Sequence, residues 1–400
     1  MAVWAAESTS PIERVVQLHK EVAGVAPEHT ASAPGTWVLI GENVDHFGGV
    51  TLVGLTSLRA AAAVSARDDD TIAIEVRGPD GMSFSDAATV DDLTSGAELK
   101  KLTRRIVGLV HTLISRQVLS RDTRGLDISL ATDILPGAGL GALYAGDAAL
   151  ALALAAGDPE VDEAPFRTRL AELCSHNVTV NSDLAVLRAR HTAALRGKAG
   201  TISVVDYSDG SVTQAPHPGK LGVRIFSVTE AWGEPYAEQT ERIAAHRAFI
   251  DEACANFGVA SLRQLPDAAN RAVEWVEARR QVLGADSAPE PEAVRFWVSF
   301  CETETLRSLA TAKALRSSRE NDLFTLLNSR TEHHDLDTPD ELVAEVLRRG
   351  AVSARPAAVG NSPAVLAFVR LSEADAFVKN VAKNYEVVEV LPGDVASVEN

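Results

Sequence analysis

The chain has 400 residues but only three cysteines, Cys174, Cys254 and Cys301, widely spaced and with no histidine pattern beside them. An odd, scattered set excludes a disulfide framework or a zinc motif and suits a reducing compartment. Long hydrophobic runs are also missing. The longest covers residues 148–156, nine in all, against the ~20 that span a bilayer. The opening MAVWAAESTSP lacks a basic n-region and an apolar stretch of signal length. Positive charge is scarce: 38 lysines and arginines face 55 aspartates and glutamates, a formal net charge of −17. That argues against a nucleic-acid or anionic-membrane partner, since both attract cations. No repeat or low-complexity tract is present. The expectation is a cytoplasmic protein, monomeric, with a small molecule as its partner.

What is present is an ordinary globular composition, 46% hydrophobic and 23% charged. Four hundred residues exceed one ordinary core, so two domains are expected. The most turn-rich mid-chain stretch, 209–218, puts the boundary between residues 1–208 and 209–400. In the first half, 12–23 reads as an amphipathic helix, and 36–40 and 50–55 as strands around a polar loop with Gly48 and Gly49 at its turn. Further strands are expected at 59–65, 71–77, 126–131 and 201–207, and helices at 99–115, 143–156, 166–174 and 184–195. In the second half, strands are expected at 222–228, 364–371 and 386–390. Helices are expected there at 238–257, 268–282, 297–316 and 340–349. The mixture is α+β with two lobes.

The stretch from 33 to 50 reads APGTWVLIGENVDHFGGV. It resembles the first motif of the galactokinase branch of the GHMP small-molecule kinases, usually APGRVNLIGEHTDYNGG. Ala33, Pro34, Gly35, Leu39, Ile40, Gly41, Glu42, Asp45, Gly48 and Gly49 keep the family type. Thr36 stands at the family's active-site arginine, Val38 at an asparagine and Asn43 at a histidine. The resemblance implies that Glu42, Asn43 and Asp45 hold galactose hydroxyls. Two carboxylates three apart in a short turn suit vicinal hydroxyls, and Asn43 offers both donor and acceptor. Capping of the turn by the same acids is the plain alternative.

LPGAGL at 135–140 follows a strand and opens a helix, a place where backbone N–H groups and the helix terminus attract phosphate. Such a turn is often no more than a turn. Its core resembles the family's second motif, PxGAGLSSSAAL, which implies nucleotide binding by Pro136, Gly137, Ala138, Gly139, Leu140 and Gly141. Gly141, Ala142 and Leu143 occupy the three serine places, so the hydroxyls that help hold Mg²⁺ and phosphate are gone. Asp147, a turn further on, would repel ATP unless it joined the metal. Tyr144 is expected to pack into a filled loop.

In the family, a helix LAELCxxxEN…GIMDQ leads to a catalytic aspartate and then to a strand. Here LAELCSHN spans 170–177 and TISVVDY spans 201–207. Counting forward from Cys174 and back from Asp206 gives one ungapped register, with Arg190 at the aspartate and His191 at the glutamine. The family's reaction moves the γ-phosphoryl of ATP to the sugar's anomeric hydroxyl. The aspartate orients or deprotonates that hydroxyl, and the arginine stabilises charge. Loss of a general base costs ~10²–10⁴ in rate, and loss of a phosphate-directed arginine ~10³–10⁵. Asp147 and Asp183 are the candidate replacement acids, Asp183 lying about 10 Å from Arg190 if both share a helix. A charge swap between Thr36 and Arg190 would return a cation but no base.

SARPAAVGNSPAVLAFV at 353–369 resembles the third motif, GARMTGAGFGGCAIALV. Ala354, Arg355 and Gly360 are kept, while Ala358, Ser362 and Pro363 replace glycines of a flexible loop. The match extends from about 33 to 390. His333 and His334 lack a third ligand and read as solvated. Tyr236, in WGEPY, falls near the family's sugar-facing tyrosine. The resemblance implies the two-lobed α+β fold of the GHMP kinases, a ribosomal-protein-S5-like first lobe and a ferredoxin-like second one, with ligands between them. It also implies a galactokinase-like phosphotransferase forming a sugar 1-phosphate, with Mg-ATP as cofactor if active and no metal site of the chain's own. With Thr36, Arg190 and the lost serines, the expected function is a catalytically impaired sugar-binding or sensory homologue. The alternatives are an active sugar kinase with rewired residues, or a different ligand altogether.

Overall fold

A computed structural model describes residue 4 and residues 8–230, 237–329 and 336–399. Tyr236, His333 and His334 lie outside the described residues. Helix α1 (Pro11–Ala23) begins at Ser10, whose hydroxyl accepts the Glu13 N–H while the Glu13 carboxylate accepts the Ser10 N–H. This reciprocal cap satisfies two otherwise orphaned donors. The buried face of α1 carries Val15, Leu18 and His19, and His19 bridges the hydroxyls of Ser65 and Ser129.

Strands β1 (His29–Ile40), β2 (Val50–Ala66), β3 (Ile72–Arg77) and β4 (Ser83–Ala88) follow, then α2 (Val90–Thr94), α3 (Lys101–Ser115) and β5 (Leu126–Thr132). The sequence predicts two strands where β2 is a single strand of 17 residues. Its first part pairs with β1 and, after the chain has come back through α4 (Ala142–Leu154), α5 (Ala164–Asn181) and α6 (Arg188–Arg196), with β6 (Thr201–Asp206). Its second part pairs with β1 and β5. The polar Thr56-Ser57 step, which reads as a break, lies beside the register shift between Pro34 and Thr36 on β1.

The turn-rich 209–218 stretch holds a further strand, β7 (Ser211–Pro216), paired with β6 through a tight turn at Gly210, φ +70°. Asp209 closes that turn by accepting the Ser211 N–H. The helix predicted over 184–195 starts only at Arg188. Tyr144 Oη donates to Ala185 O and accepts from Leu187 N–H, and Arg105 donates to the Ser182 hydroxyl. The two Tyr144 bonds take up backbone groups that a helix would need.

The remaining elements are β8 (Val223–Thr229), α7 (Ala237–Phe257), α8 (Ala268–Leu283), α9 (Pro291–Arg316), α10 (Glu320–Asn328), α11 (Asp340–Arg348), β9 (Ser353–Ala358), β10 (Ser362–Arg370), α12 (Ala374–Val381), β11 (Glu386–Glu389) and β12 (Ser397–Glu399). One sheet runs β12-β1-β2-β5-β3-β4, with β6 on β2 and β7 on β6. The other runs β11-β8-β10-β9 and is antiparallel throughout. The fold is α+β.

A shared apolar core joins the sheets. Trp37, Ile134, Leu135 and Leu140 meet Ile225, Leu366 and Phe368 there. Trp37 lies flat over Gly54, where a Cβ would come 2.5 Å from its Nε1, so only glycine fits. Helix α4 is Ala/Leu-rich and mostly buried against β1 and β2. Among the described residues no helix is long and apolar enough to cross a membrane.

Candidate functional site

The β1–β2 connection turns on three left-handed residues, Gly41, Asn43 and Gly48, at φ +90°, +59° and +82°. Its closure is by main chain: Gly48 N–H donates to Asp45 O at 3.1 Å and Gly49 N–H to Val44 O at 2.9 Å. The carboxylates are thus not the caps of this turn. Glu42 Oε2 accepts the Val359 N–H at 3.0 Å, across on the β9–β10 connection, while its buried Oε1 has no hydrogen-bond partner. Burial pushes the Glu42 carboxyl up to about 7, against the pull of Arg190, the Val359 N–H and Arg355.

Asp45 behaves oppositely. Arg188 Nε donates to its Oδ2 at 3.0 Å, and Arg247 approaches Oδ1 at 3.4 Å as an ion pair without a hydrogen bond. Burial alone would raise its carboxyl, but Arg247, His46 and Arg188 together lower it to about 2. Asn43 Oδ1 accepts from Arg247 at 3.3 Å, and its buried Nδ2 has no partner. A cavity of about 40 Å³ adjoins, lined by Asn43, Arg247, His246, Trp297, Phe300 and Cys301 among others. Of the residues that the sequence sets at the sugar positions, Asp45 is buried, Glu42 and Asn43 are part-buried, and each has a buried polar atom without a partner.

At the other end the Gly-rich loop is closed in. The Ser227 hydroxyl donates to Ala138 O at 2.7 Å, the Ser362 hydroxyl donates to Gly137 O, and Thr36 N–H donates to Leu140 O at 2.8 Å. A Cβ on Gly139 would collide with Ala357, and one on Gly141 would lie 2.8 Å from Thr36 Oγ1 and 3.0 Å from Arg190. Thr36 and Arg190 are in direct contact, the guanidinium donating to Thr36 O and, at 3.4 Å, to Ala357 O. Arg190 is 1% exposed, its Nε–H has no partner, and it forms no ion pair among the described residues. Burial works against its charge and Glu42 is the acid that favours it.

Neither candidate replacement acid faces this loop. Asp147 points into the core, where Arg105 holds both its oxygens at 3.0 and 2.6 Å and His191 Nε2 sits 3.0 Å from Oδ2. Burial lowers the His191 pKa despite Asp147; His191 Nδ1 lies 3.0 Å from the Ser175 hydroxyl, and that hydroxyl donates to Ala171 O at 2.8 Å. Asp183 is not on a helix with Arg190. It lies in the irregular segment before α6 and is paired at the surface with Arg104 and, at 3.5 Å, Lys101. Tyr144 turns inward with its ring 5.0 Å from that of His191, whereas Leu143 is exposed. Among the described residues no three His, Cys, Asp or Glu side chains converge as a metal site. The Gly-rich loop, with no hydroxyl at 141–143 and no free acid near it, does not fit Mg²⁺ with a triphosphate.

Two groups escaped the sequence reading. Arg188, two residues before Arg190, and Arg247 on α7 clamp Asp45. Glu304 on α9 receives Gly41 N–H, Arg307 and Arg355, tying the β1–β2 connection to α9 and β9. The kept Arg355 was the visible signal for the second; Arg247 had none.

Residues 17–66 match the family model of the galactokinase galactose-binding signature. Over 371 residues, 90% of each chain, the sequence is 28% identical to a galactokinase from Streptomyces coelicolor. The galactokinase of Lactococcus lactis complexed with galactose superposes with a TM-score of 0.74 at 16% identity, covering 96% of this chain and 99% of that one. A homoserine kinase from Cytophaga hutchinsonii superposes with a TM-score of 0.53 at 12% identity, covering 93% and 97%.

Proposed function

We propose, for a chain that is galactokinase-like and carries the GHMP kinase fold, that it binds a sugar but is impaired in phosphoryl transfer, and acts as a binding or sensory homologue. One observation carries this reading. Arg190, which the sequence register sets at the family's aspartate, is a buried cation packed against Thr36 and the Gly-rich loop. Glu42 Oε1 and Asp45 Oδ1 supply acceptors for sugar hydroxyls, and Asn43 Nδ2 supplies a donor. Three unbridged cysteines agree with a cytoplasmic location. No step is assigned to ATP, because the residues around the loop do not fit it.

One observation favours a second reading, an active kinase with a rewired base. Glu42, held near 7 with a free oxygen, is the acid that faces Arg190. A pKa near the working pH is what a general base needs. Phosphorus NMR of the intact protein with Mg-ATP and galactose separates the two. No sugar 1-phosphate over hours at high protein concentration is expected. A signal growing at turnovers per second, and lost in Glu42→Gln, would overturn the first reading and establish the second.

A further inference from the structure

We propose that the cavity between α7 and α9 is a binding subsite for a short alkyl group that carries an acceptor oxygen and no donor, as in a ketone, ether or ester. It does not depend on the sugar reading. The cavity holds about 40 Å³, room for about three water-sized groups. Its occupant therefore has the size of an acetyl or methoxy group. The walls are mostly apolar. Ile243 and Ile250 come from α7, Phe296, Trp297 and Phe300 from α9, and Asn43 from the β1–β2 connection. Trp297 is braced there, its ring 4.2 Å from that of His246 and 5.7 Å from that of Phe249.

Among the described residues of this wall, the buried polar atoms without partners are Asn43 Nδ2, Trp297 Nε1 and Arg247 Nε, and all three are N–H donors. An unpaired arginine Nε recurs at Arg104, Arg279 and Arg307, so that of Arg247 is not distinctive. The other two are. Asn43 commits its Oδ1 to Arg247 at 3.3 Å, which leaves the amide's NH₂ group over. The indole N–H of Trp37 is unpaired as well, but that ring is closed over Gly54, whereas Trp297 borders a cavity. A buried indole N–H usually finds an acceptor. A wall that offers donors and no unpaired acceptor selects against a hydroxyl, whose oxygen can accept but whose proton would be buried with nothing to receive it. A carbonyl or ether oxygen brings no such proton, and its alkyl part meets the isoleucine and phenylalanine side chains. The group arrives either as a free small molecule or as a substituent on a ligand of the β1–β2 connection, since Arg247 borders the cavity and also pairs with Asp45.

The probes are acetone and isopropanol, which are nearly equal in shape and differ in the proton on oxygen. Each is titrated into the intact, isotope-labelled protein while the Trp297 indole N–H signal, assigned by its loss in Trp297→Phe, is followed by NMR. The Asn43 side-chain NH₂ signal, lost in Asn43→Asp, is a second reporter. Acetone should shift both signals saturably, at about 10-fold lower concentration than isopropanol. Asn43→Asp keeps the side-chain shape and turns the unpaired donor into an acceptor, so it should shrink or reverse that margin. Singly acetylated galactoses, set against galactose, decide the source. If one binds more tightly than galactose and moves the Trp297 signal, the group is carried on the sugar. If none does while acetone binds, the group belongs to a free molecule. Isopropanol matching acetone, or no movement of either reporter, would overturn the proposal. Acetone binding without any binding of galactose would leave it standing and overturn the sugar reading.

Discussion

The Glu42–Asp45 loop and the Gly137–Gly141 loop differ in how far their polar atoms are paired. At the Glu42–Asp45 end both acids keep their types, and four polar atoms are without partners: Glu42 Oε1, Asn43 Nδ2, Asp45 Oδ1 and Arg247 Nε. At the Gly137–Gly141 end the loop carbonyls are taken by Ser227, Ser362 and Thr36, and the glycines abut Ala357, Thr36 and Arg190. Buried polar groups in folded proteins are nearly always paired. The first end keeps donors and acceptors unspent, while at the second the loop carbonyls are taken and Arg190 Nε is left over.

The contrast breaks hardest at Asp147. If it is part of the frame, Asp147→Asn leaves Arg105 as an uncompensated buried cation and should cost about 3–5 kcal/mol in urea unfolding at pH 7. Millimolar Mg²⁺ should leave the wild-type Tm unmoved. An Mg²⁺-dependent Tm that vanishes in Asp147→Asn would make the acid a metal ligand and reopen the loop as a nucleotide site.

Much of this was legible in the sequence, for definable reasons. Thr36 and Arg190 sit at fixed offsets from anchors that survive, so their pairing followed from counting, and the structure places them in contact. The strands follow from short apolar runs set between turn residues. Local chemistry hid the rest. The Thr56-Ser57 step reads as a strand break because it lies in a bulge, residues 56–58 of β2 standing opposite Gly35 of β1, which only the strand pairing reveals. Helix α6 starts late because Tyr144, 41 residues from Ala185, takes the backbone it would use. The Arg105–Asp147–His191 cluster spans separations of 42 and 44 residues, which no periodicity reveals. Arg247 came from a helix whose pattern advertises only amphipathic packing.

Glu42 offers the next sharpest test, through pH. Its pKa rises from 4.5 to about 7 on folding, so between those values the folded state holds a proton that the unfolded state has released. The stability this contributes is complete below about 4.5 and is lost as pH rises through 7, roughly 3 kcal/mol in all. Glu42→Gln keeps an acceptor for the Val359 N–H and removes the titration. Its stability should be flatter from pH 4.5 to 7 than that of the wild type and should exceed it at pH 8. Parallel profiles would mean that Glu42 is solvated or ion-paired, and the sugar end would lose its distinguishing mark.

The smallest effect belongs to the hinge between the ends. Tyr144 Oη bonds Ala185 O at 3.0 Å and Leu187 N–H at 3.2 Å, holding the segment that delivers Arg188 to Asp45 and Arg190 to Thr36. Tyr144→Phe keeps the ring but orphans two buried backbone groups, for about 1–2 kcal/mol of lost stability. Hydrogen exchange at the Leu187 amide should quicken by more than that at the α4 amides. Its neighbour Leu143, 39% exposed, is the control: Leu143→Ser should stay within about 0.5 kcal/mol. If Leu143→Ser proved the costlier change, Leu143 would be closing the loop and Tyr144 would be incidental. The difference between the ends would then rest on one exposed side chain rather than on the buried frame.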